Sequence, residues 1–89
     1  MNREVTIRTK AELIQVFVDG KKVSLSDGDA TVKVKAGDRH ALSWVVRGEP
    51  GSSYSIEITS PAEAKVKHAD TLDEDQLDAG VVFFKVAEA

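Results

Sequence analysis

Histidines and carboxylates are the side chains of this chain that could bind a metal or move protons. The chain has two histidines, His40 and His68, and no cysteine, which excludes a thiolate zinc site, a thiol nucleophile and a disulfide scaffold. His68 stands two residues before Asp70 and could share a strand edge with it. A catalytic zinc site needs three protein ligands on rigid elements, and no third ligand stands at a recognisable spacing. We therefore expect half-buried, hydrogen-bonded histidines and no metal site.

Acidic residues are concentrated in DTLDEDQLD, residues 70–78. Calcium takes six to eight oxygen ligands, so this segment is a candidate site, together with Asp27 and Asp29 of an earlier turn. An EF-hand loop has acids at alternate positions followed by a glycine, and the segment lacks that pattern. We expect a solvated acidic segment and no cofactor, with calcium binding as an alternative.

Serines are the remaining candidates for a nucleophile. Ser52 and Ser53 stand in GEPGSSYS, whereas a nucleophile elbow reads Gly-x-Ser-x-Gly between a strand and a helix. No glycine-rich phosphate loop precedes a helix, and no pair of carboxylates is fixed by a motif. We expect a protein that is not an enzyme and has no catalytic residue.

Charge and the lengths of the apolar runs limit the classes of partner. Twelve Lys and Arg against fifteen Asp and Glu give a net charge of −3, so we expect no nucleic-acid binding. The start, MNREVTIRTK, has no apolar signal-peptide core, and no run is long enough for a membrane span. We expect a protein that does not span a membrane, and that is either cytoplasmic or an exported domain given without its targeting segment.

A period of two residues dominates the chain and predicts β-strands. Eighty-nine residues make one domain, residues 1–89. Asp19-Gly20 lies between two runs rich in β-branched residues and predicts a hairpin with a type I′ turn. The predicted strands lie in EVTIR, LIQVFVDGKKVSL, ATVKVKAGD, RHALSWVVR, YSIEI, AEAKVKH and VVFFKV. About seven short strands without a long helical pattern predict an all-β, two-layer antiparallel sandwich.

The acidic segment before the last strand has the one helical pattern of the chain. Thr71 followed three residues later by Glu74 fits a capping box. Acidic residues suit the first turn of a helix, and Gly80 suits its C-terminal end. We expect one short helix near residues 72–79.

Two segments resemble the signature motifs of immunoglobulin-like domains. Asp78 to Phe84, DAGVVFF, resembles the Asp-x-Gly-x-Tyr-x-Cys signature, and Gly37 to Trp44, GDRHALSW, resembles the Gly-x-x-x-x-Leu-x-Cys pattern. Under this resemblance Trp44 and Phe84 replace the two cysteines and contact each other between the sheets. Ile56 then falls near the core tryptophan, and Val82 stands where the family has a tyrosine. The resemblance implies an immunoglobulin-like sandwich, and such a shape does not determine function.

The final strand is apolar on both faces, which raises the question of what covers it. We expect Val82, Phe84 and Val86 to face the core, and Val81 and Phe83 to be covered by the acidic helix or the N-terminal strand. A bare patch at Val81 and Phe83 would instead indicate an interface.

The expected function is a non-catalytic interaction or structural module with a protein partner. The hairpin VFVDGKKV is similar to bacterial envelope β-sandwich modules of the PEGA type, so we expect part of a bacterial multidomain or envelope protein. The alternative is a carbohydrate- or calcium-binding domain, which would be supported by a solvent-exposed Trp44 or Tyr54. Other candidate surfaces are the SDGD turn and an open sheet edge. The candidate binding loop comprises Glu49, Ser52, Ser53 and Tyr54.

Overall fold

The computed structural model describes residues 2–60, 64, 66–74 and 76–87. Within them the chain forms eight strands and no α-helix. The strands are β1 (Asn2–Lys10), β2 (Leu13–Val18), β3 (Lys21–Val23), β4 (Asp29–Lys35), β5 (Arg39–Arg47), β6 (Ser53–Ser60), β7 (Lys67–Thr71) and β8 (Leu77–Lys85). They form two four-stranded antiparallel sheets, ordered β4-β1-β6-β7 and β3-β2-β5-β8. This confirms the predicted all-β, two-layer antiparallel sandwich.

The core lies between the two sheets because alternate residues of each strand point inward. The strands β1, β2, β5 and β6 are central in their sheets and supply most of the fully buried side chains. These include Val5, Ile7, Val16, Leu42, Val46 and Ile56. Ile56 therefore lies in the core, as predicted. The period-two pattern of the sequence is the direct cause of this layer.

Two turns with an Asp-Gly pair connect strands that are consecutive in the sequence. Asp19 and Gly20 have φ of 51° and 81°, which confirms the type I′ hairpin between β2 and β3. Asp27 and Gly28 have φ of 52° and 85° and precede β4. Glycine is required at position 28 because a Cβ there would lie 2.7 Å from the carbonyl oxygen of Thr9. Both turns place an acidic residue at the surface.

The helix predicted near residues 72–79 is wrong. Leu72 is buried, its N–H donates to the carbonyl of Ser52 at 2.8 Å, and its own carbonyl accepts from Gly51 at 2.8 Å. After this fixed residue the chain turns: the N–H of Gln76 donates to the carbonyl of Asp73 at 3.1 Å, and Gln76 has φ of 59°. Since β8 begins at Leu77, no room is left for a helix. Asp75 of the predicted helix, and most of AEAKV in the strand predicted before it, lie outside the described residues.

Gly80 is a strand residue and does not end a helix. It lies in β8 directly opposite Trp44 of β5. A Cβ at position 80 would lie 2.6 Å from Cζ2 of the Trp44 indole. The glycine therefore makes room for the indole, which crosses β8 on the core side.

The predicted contact between Trp44 and Phe84 across the two sheets is also wrong. Both side chains are buried, but β5 and β8 are neighbours in the same sheet. Their register places Phe84 opposite His40, and Trp44 opposite Gly80. Trp44 is four residues from His40 along β5, so Trp44 and Phe84 are displaced by about 13 Å along the strand direction. The two motifs therefore do not mark strands that face each other between the sheets.

Candidate interaction surface

The outer faces of the two sheets differ in composition. On the β4-β1-β6-β7 sheet, the outward residues are Asn2 and otherwise Thr, Ser, Lys, Arg and acidic residues, with Ala69 of β7 as the apolar exception. On the β3-β2-β5-β8 sheet, most outward residues are apolar. We call the first the polar face and the second the apolar face. The apolar face comprises Leu13, Phe17, Ala41, Val45, Leu77, Ala79, Val81 and Phe83.

Four large side chains of the apolar face are open to solvent. Leu13 is 58% exposed, Leu77 51%, Val81 55% and Phe83 57%. The expectation that Val81 and Phe83 are covered is therefore wrong. The helix expected to cover them does not form, and the N-terminal strand belongs to the other sheet.

The strand register makes these side chains one continuous surface. Arg47 of β5 lies between Leu13 and Leu77, since it pairs with Leu13 on one side and with Leu77 on the other. Along β8, Val81 and Phe83 follow Leu77 at alternate positions. On the neighbouring strands, Phe17 pairs with Ser43, which pairs with Val81, and Ala41 pairs with Phe83. The face thus extends across three strands.

The charged residues of the apolar face are all cationic. Lys22, Arg39, Arg47 and Lys85 occupy outward positions of these four strands, and no Asp or Glu does. None of the four forms an ion pair with a described carboxylate. The guanidinium of Arg39 lies 4.2 Å from the ring centroid of Phe83, a cation–π contact. In a chain of net charge −3, this face is locally positive.

The predicted binding loop lies at one end of this surface. The carboxylate of Glu12 accepts from the N–H of Glu49 at 3.1 Å and from the hydroxyl of Ser52 at 3.5 Å. Glu49 and Ser53 are exposed, and Ser52 is partly buried. A cleft of ≈ 680 Å³ is lined by Glu12, Leu13, Arg47, Gly48, Glu49, Gln76 and Leu77. The loop therefore continues into the apolar face through Leu13 and Leu77.

The structure places Tyr54 in the core, away from the loop surface. Tyr54 is 3% exposed and Trp44 is 2% exposed. The hydroxyl of Tyr54 donates to Oδ2 of Asp78 at 2.5 Å and lies 3.2 Å from Nε2 of His68. Burial, together with this hydrogen bond to Asp78, raises the pKa of Tyr54 to about 12. Neither aromatic ring forms a platform for a sugar, so carbohydrate binding loses the feature that would have supported it.

Neither histidine side chain lies on the apolar face. The ring of His68 packs on Trp44, with centroids 4.9 Å apart. His40 is buried on the core side of β5 and hydrogen-bonds to Asp19 and Lys35. Among the described residues, no three His, Asp or Glu side chains meet in a group that could hold a metal ion.

Part of the apolar face was visible in the sequence and part was not. Val81 and Phe83 stood out because the last strand is apolar on both faces. The sequence does not indicate that Leu77 belongs to this face, because its pattern there predicts a helix. It does not indicate the group of cationic residues either, because their common face depends on which strands are neighbours.

No protein-family model, no curated protein and no solved structure matches this chain. In the part of the chain that the structure describes, no helix has the length and apolarity needed to cross a membrane.

Proposed function

We propose that this chain is a non-catalytic interaction module that binds a partner protein through its apolar face. One observation carries the proposal: four large apolar side chains on one sheet face are each more than half exposed. Single exposed apolar side chains are ordinary on protein surfaces. A continuous group of them bordered by charge is typical of an interface.

The charge of the face selects the chemistry of the partner. Lys22, Arg39, Arg47 and Lys85 border the apolar residues, and no Asp or Glu occupies an outward position of these strands. Glu12 and Glu49 lie beside Arg47 only at the loop end of the face. A second copy docking face to face would bring these cations together, which is unfavourable. A partner whose apolar strip is bordered by carboxylates would pair with them. We therefore propose a partner protein with an acidic rim.

We also propose that this module is part of a bacterial multidomain or envelope protein and that its fold is immunoglobulin-like. Strand order supports the immunoglobulin-like part. In that family strands B and E are neighbours in one sheet, and strands C and F in the other. Here β1 pairs with β4, and β2 pairs with β5. The first five strands therefore fit the order B, C, C′, E, F, although the motifs of the sequence pointed to other strands.

The test is a pull-down from extracts of the source cell, followed by measurement with the purified partner. The face variant carries Leu77→Ser and Phe83→Ser, which remove apolar area without touching the core. The control carries Thr6→Ser and Lys33→Ser on the polar face. A third variant, Ser53→Glu, tests the loop. We expect at least tenfold weaker binding for the face variant and near-native binding for the other two.

Two outcomes would overturn the proposal. Equal binding by the face variant and the wild type would place the interface elsewhere. A concentration-dependent dimer in light scattering that the face variant abolishes would identify a second copy as the occupant.

A further inference from the structure

Strand β8 is one of the two edge strands of its sheet, and its hydrogen-bonding pattern shows which backbone groups are unpaired. The N–H of Gly48 donates to the carbonyl of Gln76 at 3.2 Å, in line with the β5–β8 register. In an antiparallel ladder, hydrogen-bonded pairs alternate with non-hydrogen-bonded pairs. The even-numbered residues of β8 therefore bond to β5. The odd-numbered residues direct N–H and C=O toward the open edge.

The free groups lie on the same residues as the exposed apolar side chains. The edge N–H of Ala79 is already paired, because it donates a hydrogen bond to Oδ1 of Asp78 at 2.9 Å. Beyond it, Val81, Phe83 and Lys85 face the edge, and no described residue bonds to their backbone there. Their side chains lie on the apolar face. A segment pairing with this edge would contact backbone and side chains at the same three residues.

The other outer strands are better protected. In β4, Asp29 exchanges two backbone hydrogen bonds with Ser26, at 2.8 and 3.0 Å. At the other end of β4, the carbonyl of Lys35 is 2.7 Å from Nε2 of His40. In β7, the N–H of Thr71 donates to Asp70 at 2.8 Å, and β3 has only three residues. Proteins commonly block sheet edges in such ways to prevent unwanted pairing. No described residue blocks the β8 edge in such a way from residue 81 onward.

We propose that β8 accepts an extended segment of the partner as an additional strand, and that this segment combines alternating apolar residues with acidic residues. The inference rests on the proposed function, since it specifies how a partner would use the apolar face. Alternate side chains of an added strand would lie beside Val81 and Phe83. Carboxylates at its end would lie near Lys85 and Arg39, whereas a basic segment would be repelled.

The test is selection of peptides from a random display library against the folded domain. A length of about ten residues is enough for a long strand. We expect the selected peptides to alternate apolar residues and to be enriched in Asp and Glu. We also expect their affinity to fall severalfold from low to high salt, because exposed charges are screened. Enrichment of basic peptides, or no enrichment at all, would overturn the proposal.

A proline substitution tests backbone pairing at the β8 edge separately from side-chain contacts on the apolar face. Val81→Pro removes the edge N–H at that residue, sparing the ladder to β5, and edge strands tolerate proline there. Ala69→Pro is the matched control on the β7 edge. Leu72 donates to Ser52 in the β6–β7 register, so the odd-numbered residues of β7 also face outward. We expect Val81→Pro to weaken peptide binding at least tenfold, and Ala69→Pro to leave it near the wild-type value. A thermal melt confirms that both variants fold.

The same variants distinguish the two proposals when they are used with the purified partner protein. Loss of binding with both Val81→Pro and the face variant supports strand addition. If Val81→Pro binds normally while the face variant does not, the face is the interface and strand addition is wrong. If neither change affects binding, both proposals fail.

Discussion

The imidazole of His40 and the carboxylate of Asp19 form a partly buried contact that connects three parts of the fold. Nδ1 lies 2.6 Å from Oδ2 of Asp19, and Nε2 lies 2.7 Å from the carbonyl of Lys35. Both partners are acceptors, so the doubly protonated imidazolium satisfies both bonds. Asp19 lies in the β2–β3 hairpin, His40 in β5, and Lys35 at the end of β4 in the other sheet. The contact therefore holds the two sheets together at this end.

This contact predicts how stability depends on pH. Burial lowers the pKa of His40, but the hydrogen bonds to Lys35 and Asp19 outweigh it, so the net pKa lies above the ordinary value of 6.5. A raised pKa contributes stability below pH 6.5, and this contribution is lost as pH rises through the folded value. The pKa of Asp19 is lowered, first by the hydrogen bond from Ala41 and then by that from His40. The Asp19 carboxylate therefore contributes stability that is present above pH 3.8 and is lost as pH falls through its lowered pKa in the folded protein.

The measurement is the free energy of unfolding by urea, at pH values from below 3.8 to well above 6.5, for the wild type and for His40→Gln. We expect the wild type to lose about 1 kcal/mol as His40 deprotonates, a modest amount because Asp19 is half exposed. The variant should lack this loss. An identical slope above pH 6.5 in both proteins would contradict the role of His40.

Phe83 and Phe84 are neighbours in sequence but should respond in opposite ways to truncation. Phe84 is buried and Phe83 is mostly exposed. Phe84→Ala should reduce the free energy of unfolding by about 3–5 kcal/mol, because it empties a core site. Phe83→Ala should change it by less than about 1 kcal/mol, as is typical of surface positions. Chemical unfolding of both variants tests this, and comparable losses would contradict the assignment of the two faces.

Gly80→Ala should destabilise the fold although it adds only a methyl group. The new Cβ would lie 2.6 Å from the Trp44 indole, and overpacking of this kind costs about 1–3 kcal/mol. The same change in a Trp44→Phe background should cost less, because the smaller ring leaves room. A double-mutant cycle measures this coupling, and strictly additive effects would argue against the clash.

Amide hydrogen exchange along β8 should alternate residue by residue. Val82 and Phe84 bond to β5 and should be protected, whereas Val81, Phe83 and Lys85 should exchange nearly as fast as unprotected amides. Residue-resolved exchange by NMR gives the pattern directly. Uniform protection along the strand would mean that the edge is covered.

Tyr54 is the one tyrosine of the chain, so a change in ultraviolet absorbance from tyrosinate formation is assigned to it directly. Its pKa of about 12 predicts that tyrosinate forms well above the ordinary range. Stability should also fall as pH rises from 10 toward 12, since the unfolded chain ionises first. Asp78→Asn removes the nearby negative charge and should lower the pKa of Tyr54. Ionisation near pH 10 in the folded wild type would contradict its burial beside Asp78.

The sequence predicts the strands and most of the core because both depend on local alternation. Val5, Ile7 and Val46 follow the period of two and are buried. The Asp19-Gly20 pair favours a type I′ turn because both central positions of that turn need φ > 0. Which strands become neighbours depends on contacts between residues far apart in sequence. For that reason the sequence did not predict that Phe84 lies opposite His40.

The predicted helix and the apolar face illustrate the same limit. Thr71 and Glu74 have the pattern of a capping box, but Leu72 enters the core and its backbone bonds to the loop of Ser52. Tertiary packing thus overrides a local preference. Likewise, the apolar character of Val81 and Phe83 is evident from the sequence, while their exposure depends on what the rest of the chain leaves uncovered.

Because the residues of β8 alternate between the core and the apolar face, substitutions at its even-numbered and odd-numbered positions affect different properties of the domain. Even-numbered positions such as Val82 and Phe84 face the core and bond to β5, so substitutions there act on folding. Odd-numbered positions such as Val81 and Phe83 hold the free backbone groups and the bare side chains, so substitutions there act on what the domain touches. Partner preference could therefore diverge among related proteins through the odd-numbered positions while the domain itself stays equally stable.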